Sequence, residues 1–412
     1  MIGSVVDLEI TDVAFGGEFV ARHEAELVFV RGTILGEKVR TRITHKRKRG
    51  YLATVEEILH PSPARIEHPW PLGSVSQTGA ANYGHIELTV QRAMKAHMLR
   101  RELKLAGLTS GLGGASPEMF TVDAVPEADP AAPGWRYRTR IWVDKLATGV
   151  GMYVPNLGKH VPLTEIPLAS RRLEALQVCG NAWDALATTT EPFHVQLVAP
   201  SASPPLLLAN GQAFSAPGQP AAPVVREVVE FQGEKFWYEL AADGFWQVHE
   251  YAPALLVASV FDAVSVTPGD TLVDLYSGAG LFSQVAAELV GPAGKVRAYE
   301  GNELATRAAR KNLAAHPWAE AHAVTLDAQT IAEIVPGADI VIADPPRAGL
   351  GAQAAAELAR SSATQIVLVS CDARSMARDV TAILQAGRQV TYAHALDIFP
   401  NTHFVETVCA FV

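Results

Sequence analysis

The sequence predicts a doubly wound, Rossmann-like α/β domain at its C-terminal end, a small β-barrel at its start and a mixed, mainly β segment between them. Three observations carry this expectation. From Asp270 onward, short apolar runs of strand type alternate with helical stretches. Over residues 1–60, apolar and polar residues alternate between turns at Gly16-Gly17, Gly32 and Gly36. The chain has 412 residues, which at about 150 residues per domain leaves room for a third unit. The expected divisions are 1–60, 61–235 and 236–412.

Composition excludes several classes. Hydrophobic residues make up 49% of the chain and charged ones 19%, enough for buried cores and against disorder along the whole length. The cysteines are Cys179, Cys371 and Cys409, too few and too far apart for a disulfide scaffold, a CxxC zinc site or a redox dithiol. They fit a reducing, cytoplasmic setting. The start, MIGSVVDLEI, lacks a basic cluster before an apolar run, so no secretory signal is expected. The longest stretch without charge, Pro192 to Val225, holds seven prolines and cannot form a membrane helix.

The formal net charge of -9 argues at first against nucleic acid, but it is unevenly spread. Residues 1–60 hold nine Lys/Arg and nine Asp/Glu, residues 61–225 hold thirteen and twelve, and residues 226–412 hold twelve and twenty-two. The acidity therefore belongs to the C-terminal part. Within the barrel segment, KVRTRITHKRKRGY (38–51) has seven Lys/Arg and no acid. It reads either as a solvated hairpin or as a basic rim that tracks phosphates.

A helix is expected from about Ile86 to Ala106. Residues 135–165 then read as antiparallel strands around glycine turns. Arg136, Arg138 and Arg140 alternate with Tyr137, Thr139 and Ile141, which places all three on one strand face, as an RNA-binding row or simply a wet side. APGQPAAP (216–223) reads as a loop or linker.

In the C-terminal part the expected strands are TLVDLY, KVRAYE, AVTLDA, DIVIADPP, QIVLVSCD, QVTYAHALDIF and VETVCAFV. Ligands should bind at the carboxyl ends of the parallel strands. There the first turn carries Gly278 and Gly280, which permit close backbone approach to a nucleotide-like ligand. NAD, flavin and S-adenosylmethionine all satisfy that turn. Glu300 ends the second strand, where an acid can hold ribose hydroxyls. Asp344 ends the fourth in a rigid Asp-Pro-Pro, either as a turn cap or as a carboxylate fixed over the pocket floor.

Cys371 ends the fifth strand just before a helix, with Arg374 and Arg378 nearby, a setting that favours a thiolate. A thiolate matters to pyrimidine chemistry. C5 of uracil becomes nucleophilic only after C6 has been attacked, and its proton must then go to a base. Glu406, on the last strand, is the candidate base, or else a surface residue. Cys179 and Cys409 read as inert small hydrophobes.

Taken together, F-W-Q247-V, D-L-Y276-S-G-A-G, A-Y-E300-G-N, I-A-D344-P-P-R-A-G, V-S-C371-D and F-P-N-T-H-F-V-E406-T resemble the motifs of the bacterial RNA uracil-C5 methyltransferases, in their order and at similar spacings. Residues 1–60 resemble the TRAM barrel, an OB-like RNA-binding module that often precedes this enzyme. The resemblance implies S-adenosylmethionine as cofactor, contacted by Gln247, Tyr276, Gly278, Gly280, Leu281, Glu300 and Asp327. It places Asp344 between cofactor and base, and makes Cys371 the nucleophile and Glu406 the proton acceptor, with no metal in the site. The partner it implies is structured RNA, ribosomal or transfer, and the chain is expected to be a monomer free of membranes. Departures are His249 where Asn is usual, Leu281 where Asn is common, Ala373 for Pro and Phe404 for His. Many TRAM-bearing members hold an iron–sulfur cluster through four cysteines after the barrel; IEHPWPLGSVSQTGAANYGH has none, so no cluster is expected. Competing readings are methylation of another RNA base and a catalytically silent RNA-binding protein. Cytosine C5 chemistry would want a Cys beside Asp344, where Pro345 and Pro346 stand. Adenine N6 chemistry would want an aromatic residue where Arg347 stands.

Overall fold

A computed structural model describes residues 1–108, 110–187 and 191–412. The first five strands, β1 (Val5–Ala14), β2 (Glu18–His23), β3 (Glu26–Val30), β4 (Lys38–Lys46) and β5 (Tyr51–His60), close into a barrel in the order β1-β2-β3-β5-β4. Alternation drives closure, because Val13, Phe19, Val28, Val30, Val39 and Ile43 all point inward and are fully buried. The basic run 38–51 covers β4 and its turn, but much of its charge is answered within the barrel. Arg40 pairs with Asp7 and Glu57, Arg42 with Glu56, and Arg47 with the buried Glu18.

Helix α1 (Leu88–Leu105) matches the helix expected near 86–106. It does not stay with the middle of the chain. Met98, Leu99 and Leu103 pack into the core of the C-terminal sheet, and the short strand β6 (Val122–Asp123) joins that sheet's edge. The middle unit is instead a seven-stranded antiparallel sheet built from β7 (Arg140–Lys145), β8 (Val150–Val154), β9 (Lys159–Pro162), β10 (Phe193–Val198), β11 (Leu206–Ala209), β12 (Gln212–Ala216) and β13 (Gln219–Ala221), in the order β13-β12-β11-β10-β7-β8-β9. Val143, Val195, Leu197, Leu207 and Phe214 line one face and bury Trp183.

Two expectations for this region need correction. APGQPAAP is not a linker: β13 pairs with β12 through Phe214–Pro220 and Ala213–Ala221. Proline is tolerated there because β13 is the sheet's edge and needs no outward N–H. Nor do the three arginines share a strand face. Arg136 has a φ of 61° and lies before the strand begins at Arg140, paired with Glu165 and Glu174. Arg140 is buried in an ion pair with Glu227 at 2.9 Å. Arg138 faces the cavity over the C-terminal sheet, whereas Arg136 borders a separate hollow beside Cys179.

A two-stranded hairpin, β14 (Val224–Phe231) and β15 (Glu234–Ala241), leads into the C-terminal domain and shares its core through Val225, Val229 and Tyr238. The domain continues with α2 (Ala252–Asp262), β16 (Thr271–Leu275), α3 (Leu281–Val290), β17 (Lys295–Glu300), α4 (Glu303–Asn312), β18 (Ala319–Ala323), α5 (Ala328–Ile334), β19 (Ile340–Ala343), α6 (Ala352–Arg360), β20 (Gln365–Ser370), α7 (Ala373–Gln385), β21 (Val390–Leu396) and β22 (Glu406–Phe411). Its eight-stranded sheet runs β18-β17-β16-β19-β20-β22-β21-β6, with strands β16 to β20 parallel and β22 antiparallel to its neighbours. One strand is displaced from its expected place: β18 is Ala319–Ala323, not AVTLDA. Val324 donates to Glu300 O and closes the pairing, and Asp327 already caps α5.

Candidate active site

The sheet order sets the site. Strand order reverses between β16 and β19, which opens a crevice above their carboxyl ends. Five adjacent strands deliver one residue each to that edge: Glu300 from β17, Tyr276 after β16, Asp344 after β19, Cys371 after β20 and Glu406 at the start of β22. With strands about 4.8 Å apart, these side chains form a row in that order. A cavity of about 790 Å³ lies over it, lined also by Gln247, Gly278 and Leu281. Two of the expected residues stand outside that lining. Gly280, at φ 89°, caps the start of α3, and the exposed Asp327 caps α5 by accepting from the Thr330 N–H at 2.8 Å.

The turn after β16 is built for a ligand's approach. Tyr276 and Gly278 have φ of 63° and 55°, in the left-handed region. The Glu300 carboxylate accepts from the Gly278 N–H at 3.0 Å and the Asn302 N–H at 2.8 Å. These bonds aim it at the cavity and leave acceptor sites for hydroxyls. Leu281 gives its carbonyl to the Tyr238 hydroxyl at 2.9 Å, so its own side chain brings no polar contact. Beneath the turn, the fully buried Asp274 accepts from Ser283 Oγ at 2.5 Å, and burial pushes its carboxyl up to about 7.

At the other end of the row, Cys371 and Glu406 face one another. Ser370 of β20 pairs with Thr407 of β22, so the next step of the same register sets Cys371 opposite Glu406. Burial, with Asp344 beside it, holds the Glu406 carboxyl well above the usual carboxylate range. Burial, Glu406 and Asp344 push the Cys371 thiol up to about 12, against a smaller opposing pull from Arg347. The expected help from Arg374 and Arg378 is absent. Arg374 lies over the Phe15 ring and near Glu102, and Arg378 pairs with Asp379. The N–H groups that open α7 are occupied as well, those of Arg374 and Ser375 by the Asp372 side chain.

Three residues to which sequence reasoning gave no place in the pocket border the cavity: Phe245, 72% exposed, Arg138, read there only as part of a strand row, and Arg347, whose guanidinium lies 4.1 Å from the centroid of Phe404. The signal for Phe245 was its place two residues before Gln247, in an aromatic pair whose other member, Trp246, is buried. His249 lies behind the site rather than in it. It stacks on Tyr137 at 5.2 Å, accepts from the Tyr251 N–H, and is kept neutral by burial, which lowers it to about 4.

The loop between β21 and β22 brings Phe399, Phe404 and Glu406 to the cavity and is tied to distant parts of the chain. Lys95 of α1, fully buried, donates to Asp397 Oδ1 at 2.5 Å and Phe399 O at 3.0 Å. Gln91 bonds both the side chain and the backbone of Asn401. The Tyr137 hydroxyl donates to Pro400 O, and Asn82 bonds His403 at 3.1 Å.

Comparison with known proteins agrees with this layout. The model of the tRNA (Uracil-5-)-methyltransferase family matches residues 221–411, and that of the TRAM domain matches residues 1–53. An uncharacterized RNA methyltransferase of Streptomyces coelicolor is 30% identical over 99% of this chain and 93% of its own length. The chain belongs to the RNA uracil-C5 methyltransferase family. A 23S rRNA (uracil(1939)-C(5))-methyltransferase of Pectobacterium carotovorum is 28% identical over 96% of this chain and 91% of its own. The crystal structure of the Pyrococcus abyssi tRNA (uracil-54, C5)-methyltransferase, in complex with S-adenosyl-L-homocysteine, shares the fold with a TM-score of 0.69, at 21% identity over 99% of this chain and 100% of that one. In this member of the family, no helix among the described residues is long and apolar enough to cross a membrane, and no group of metal-binding side chains occurs among them.

Proposed function

We propose that this chain transfers a methyl group from S-adenosylmethionine to C5 of a uridine in structured RNA through a covalent bond between Cys371 and uracil C6. The observation that carries the reading is the cross-strand placement of Cys371 and Glu406 at the end of the row of site residues. The residues present suit the cofactor: a glycine turn for close approach, a backbone-held Glu300 for ribose hydroxyls, and apolar Leu281 beside them. Gln247, Tyr276, Gly278, Gly280 and Asp327 complete the set, the last two at the helix starts that frame the turn. When bound, S-adenosylmethionine supplies an electrophilic methyl group.

Every other step belongs to the protein. Cys371 Sγ, its proton released to water in the open cavity, bonds to C6, and the electron pair of the C5–C6 double bond moves onto C5 and O4. Asp344 stands one strand away, between the two ends of the row, and fixes the plane of the base through its polar edge. Once C5 carries the methyl group, Glu406 takes the C5 proton, the double bond returns, and the Sγ–C6 bond breaks to restore the thiolate. Burial helps Glu406 here, because a carboxylate with a raised pKa is the stronger base. The named substrates of the relatives are ribosomal RNA in one case and transfer RNA in another, and both classes are candidates for this chain.

Two variants test the mechanism. With bulk RNA and the cofactor, Glu406→Gln should accumulate a protein–RNA adduct visible on a denaturing gel, and Cys371→Ala should form none. Full methyl transfer by Cys371→Ala would overturn the proposal. Mass spectrometry of ribosomal and transfer RNA from cells with and without the protein should show loss of 5-methyluridine at one site, which names the substrate.

A further inference from the structure

We infer that the bare half of the middle sheet is a second RNA contact, a stacking platform for unpaired bases outside the methylation cavity. The face opposite the Val143–Leu197 core is covered only in part. At β11 and β12, Leu206 and Ala213 pack under the β14–β15 hairpin. The hairpin also covers Val198 of β10 and, through Glu227, Arg140 of β7; beyond them, the same face of β7, β8 and β9 carries rings instead of a covering element. Trp142 is 59% exposed and Tyr153 is 50% exposed. Tyr153 pairs with His160 across β8 and β9, their rings 5.4 Å apart, and the β7–β8 register continued by two residues sets Trp142 opposite Tyr153. Large rings left open to water on a sheet face offer π-surfaces that bases of any identity can use.

A second observation points to a ligand. Gln196 sits directly opposite Trp142 in the β10–β7 pairing and is only 6% exposed, yet its Oε1 has no hydrogen-bond partner. A buried acceptor without a partner is costly, and the N–H edge of a base stacked beside Trp142 would satisfy it. The electrostatics also suit RNA. The one acid in the row, Asp144, is bonded by His194 at 2.6 Å and His160 at 3.1 Å, so its charge is not turned toward an approaching strand. The platform is continuous with the catalytic site as well. Arg138 lines the cavity and stands four residues before Trp142, roughly 13 Å of extended chain. A strand whose target base enters the cavity can therefore lay its flanking unpaired bases along β7. This placement rests on the proposed RNA substrate, but the binding it describes does not require catalysis.

The test uses the full chain and a fluorescein-labelled, unstructured 12-nucleotide oligoribonucleotide of uridine and cytidine, read by anisotropy. Trp142→Ala and Tyr153→Ala should each weaken binding roughly tenfold, with little dependence on salt, and Trp142→Phe should keep most of the affinity. Gln196→Leu should weaken it too. Thermal midpoints within a degree or two of the parent show that the sheet is intact. On bulk RNA the ring variants should raise KM and leave kcat unchanged. Unchanged oligonucleotide binding by the Trp142→Ala/Tyr153→Ala double variant overturns the proposal. So does a concentration-dependent self-association that the double variant abolishes while oligonucleotide binding persists, since the face would then be a protein contact. The underlying reading fails separately: if the parent chain methylates no RNA but the ring variants still lose the oligonucleotide, the platform stands and the uracil chemistry does not.

Discussion

The Arg347 guanidinium lies face-on over Phe404, 4.1 Å from the ring centroid, and Phe404 is itself wedged between Phe399 at 6.1 Å and His403 at 4.1 Å. Phe404 is one of the positions where this chain departs from the usual pattern of its family, and the departure has a structural consequence. Arg347 is the cation that eases the Cys371 thiol toward its ionised form, against burial and the carboxyls of Glu406, Asp344 and Asp372. A ring at 404 holds that cation beside the nucleophile, whereas an imidazole would face it more weakly and repel it when protonated.

Phe404→Leu should therefore slow adduct formation by about three- to tenfold, the worth of roughly 0.7–1.4 kcal/mol of cation–π attraction. Because the thiol must ionise, the single-turnover rate of the parent should climb with pH across the neutral range, and the variant's curve should lie to the alkaline side. Phe404→Tyr should behave as the parent. Superimposable pH profiles for the parent and Phe404→Leu would show that the stacked pair is only packing.

What the sequence made legible was local. The glycine turn after β16, the acid ending β17, the Asp-Pro-Pro after β19 and the cysteine after β20 each follow a strand whose apolar run announces it, and the alternation of strand and helix fixes their common edge. Where neighbours in space decide, the reading slipped. Ala319–Ala323 forms β18 although AVTLDA is more apolar, because an edge strand needs little side-chain burial and Asp327 is taken by the cap of α5. The thiolate-favouring surroundings of Cys371 were inferred from sequence proximity, but Arg374 and Arg378 turn to Phe15 and Asp379. The ties of Lys95, Gln91 and Tyr137 to the β21–β22 loop span some 260–310 residues, and no periodicity reveals them.

Lys95 and Asp397 form a buried ion pair that fixes the start of the loop carrying Phe404 and Glu406. Removing one partner strands a charge in an apolar setting. Lys95→Met should destabilise the chain by about 3–5 kcal/mol, and pairing it with Asp397→Asn should recover a large part of that loss. The recovered protein still lacks the bond from Lys95 to Phe399 O, so it should fold yet bind RNA normally while turning over slowly. Urea denaturation of the two single variants and the double one gives the coupling energy, and a near-zero coupling would show that the pair contributes nothing to holding the loop.

Asp274 connects the cofactor turn to the stability of the whole domain. Its carboxyl is raised to about 7 by burial and by the nearby Asp344 and Glu300, against the opposing hydrogen bonds from the Ser283 hydroxyl and backbone. The folded chain thus holds a proton on Asp274 that the unfolded chain releases near pH 4. Stability from this group is fully present below the unfolded value and is lost as pH rises through about 7, because ionising the carboxyl in the core then opposes folding. The whole swing is on the order of 4 kcal/mol. Asp274→Asn removes the titration while keeping the shape and an acceptor for Ser283. The variant should lose thermal stability relative to the parent at pH 5, because its amide buries two N–H donors where the neutral acid has one O–H, and gain on it at pH 8, where the parent's carboxyl is ionised. Thermal midpoints of the two proteins across that range should therefore cross between pH 5 and pH 8, and parallel curves would mean that Asp274 keeps its charge state throughout.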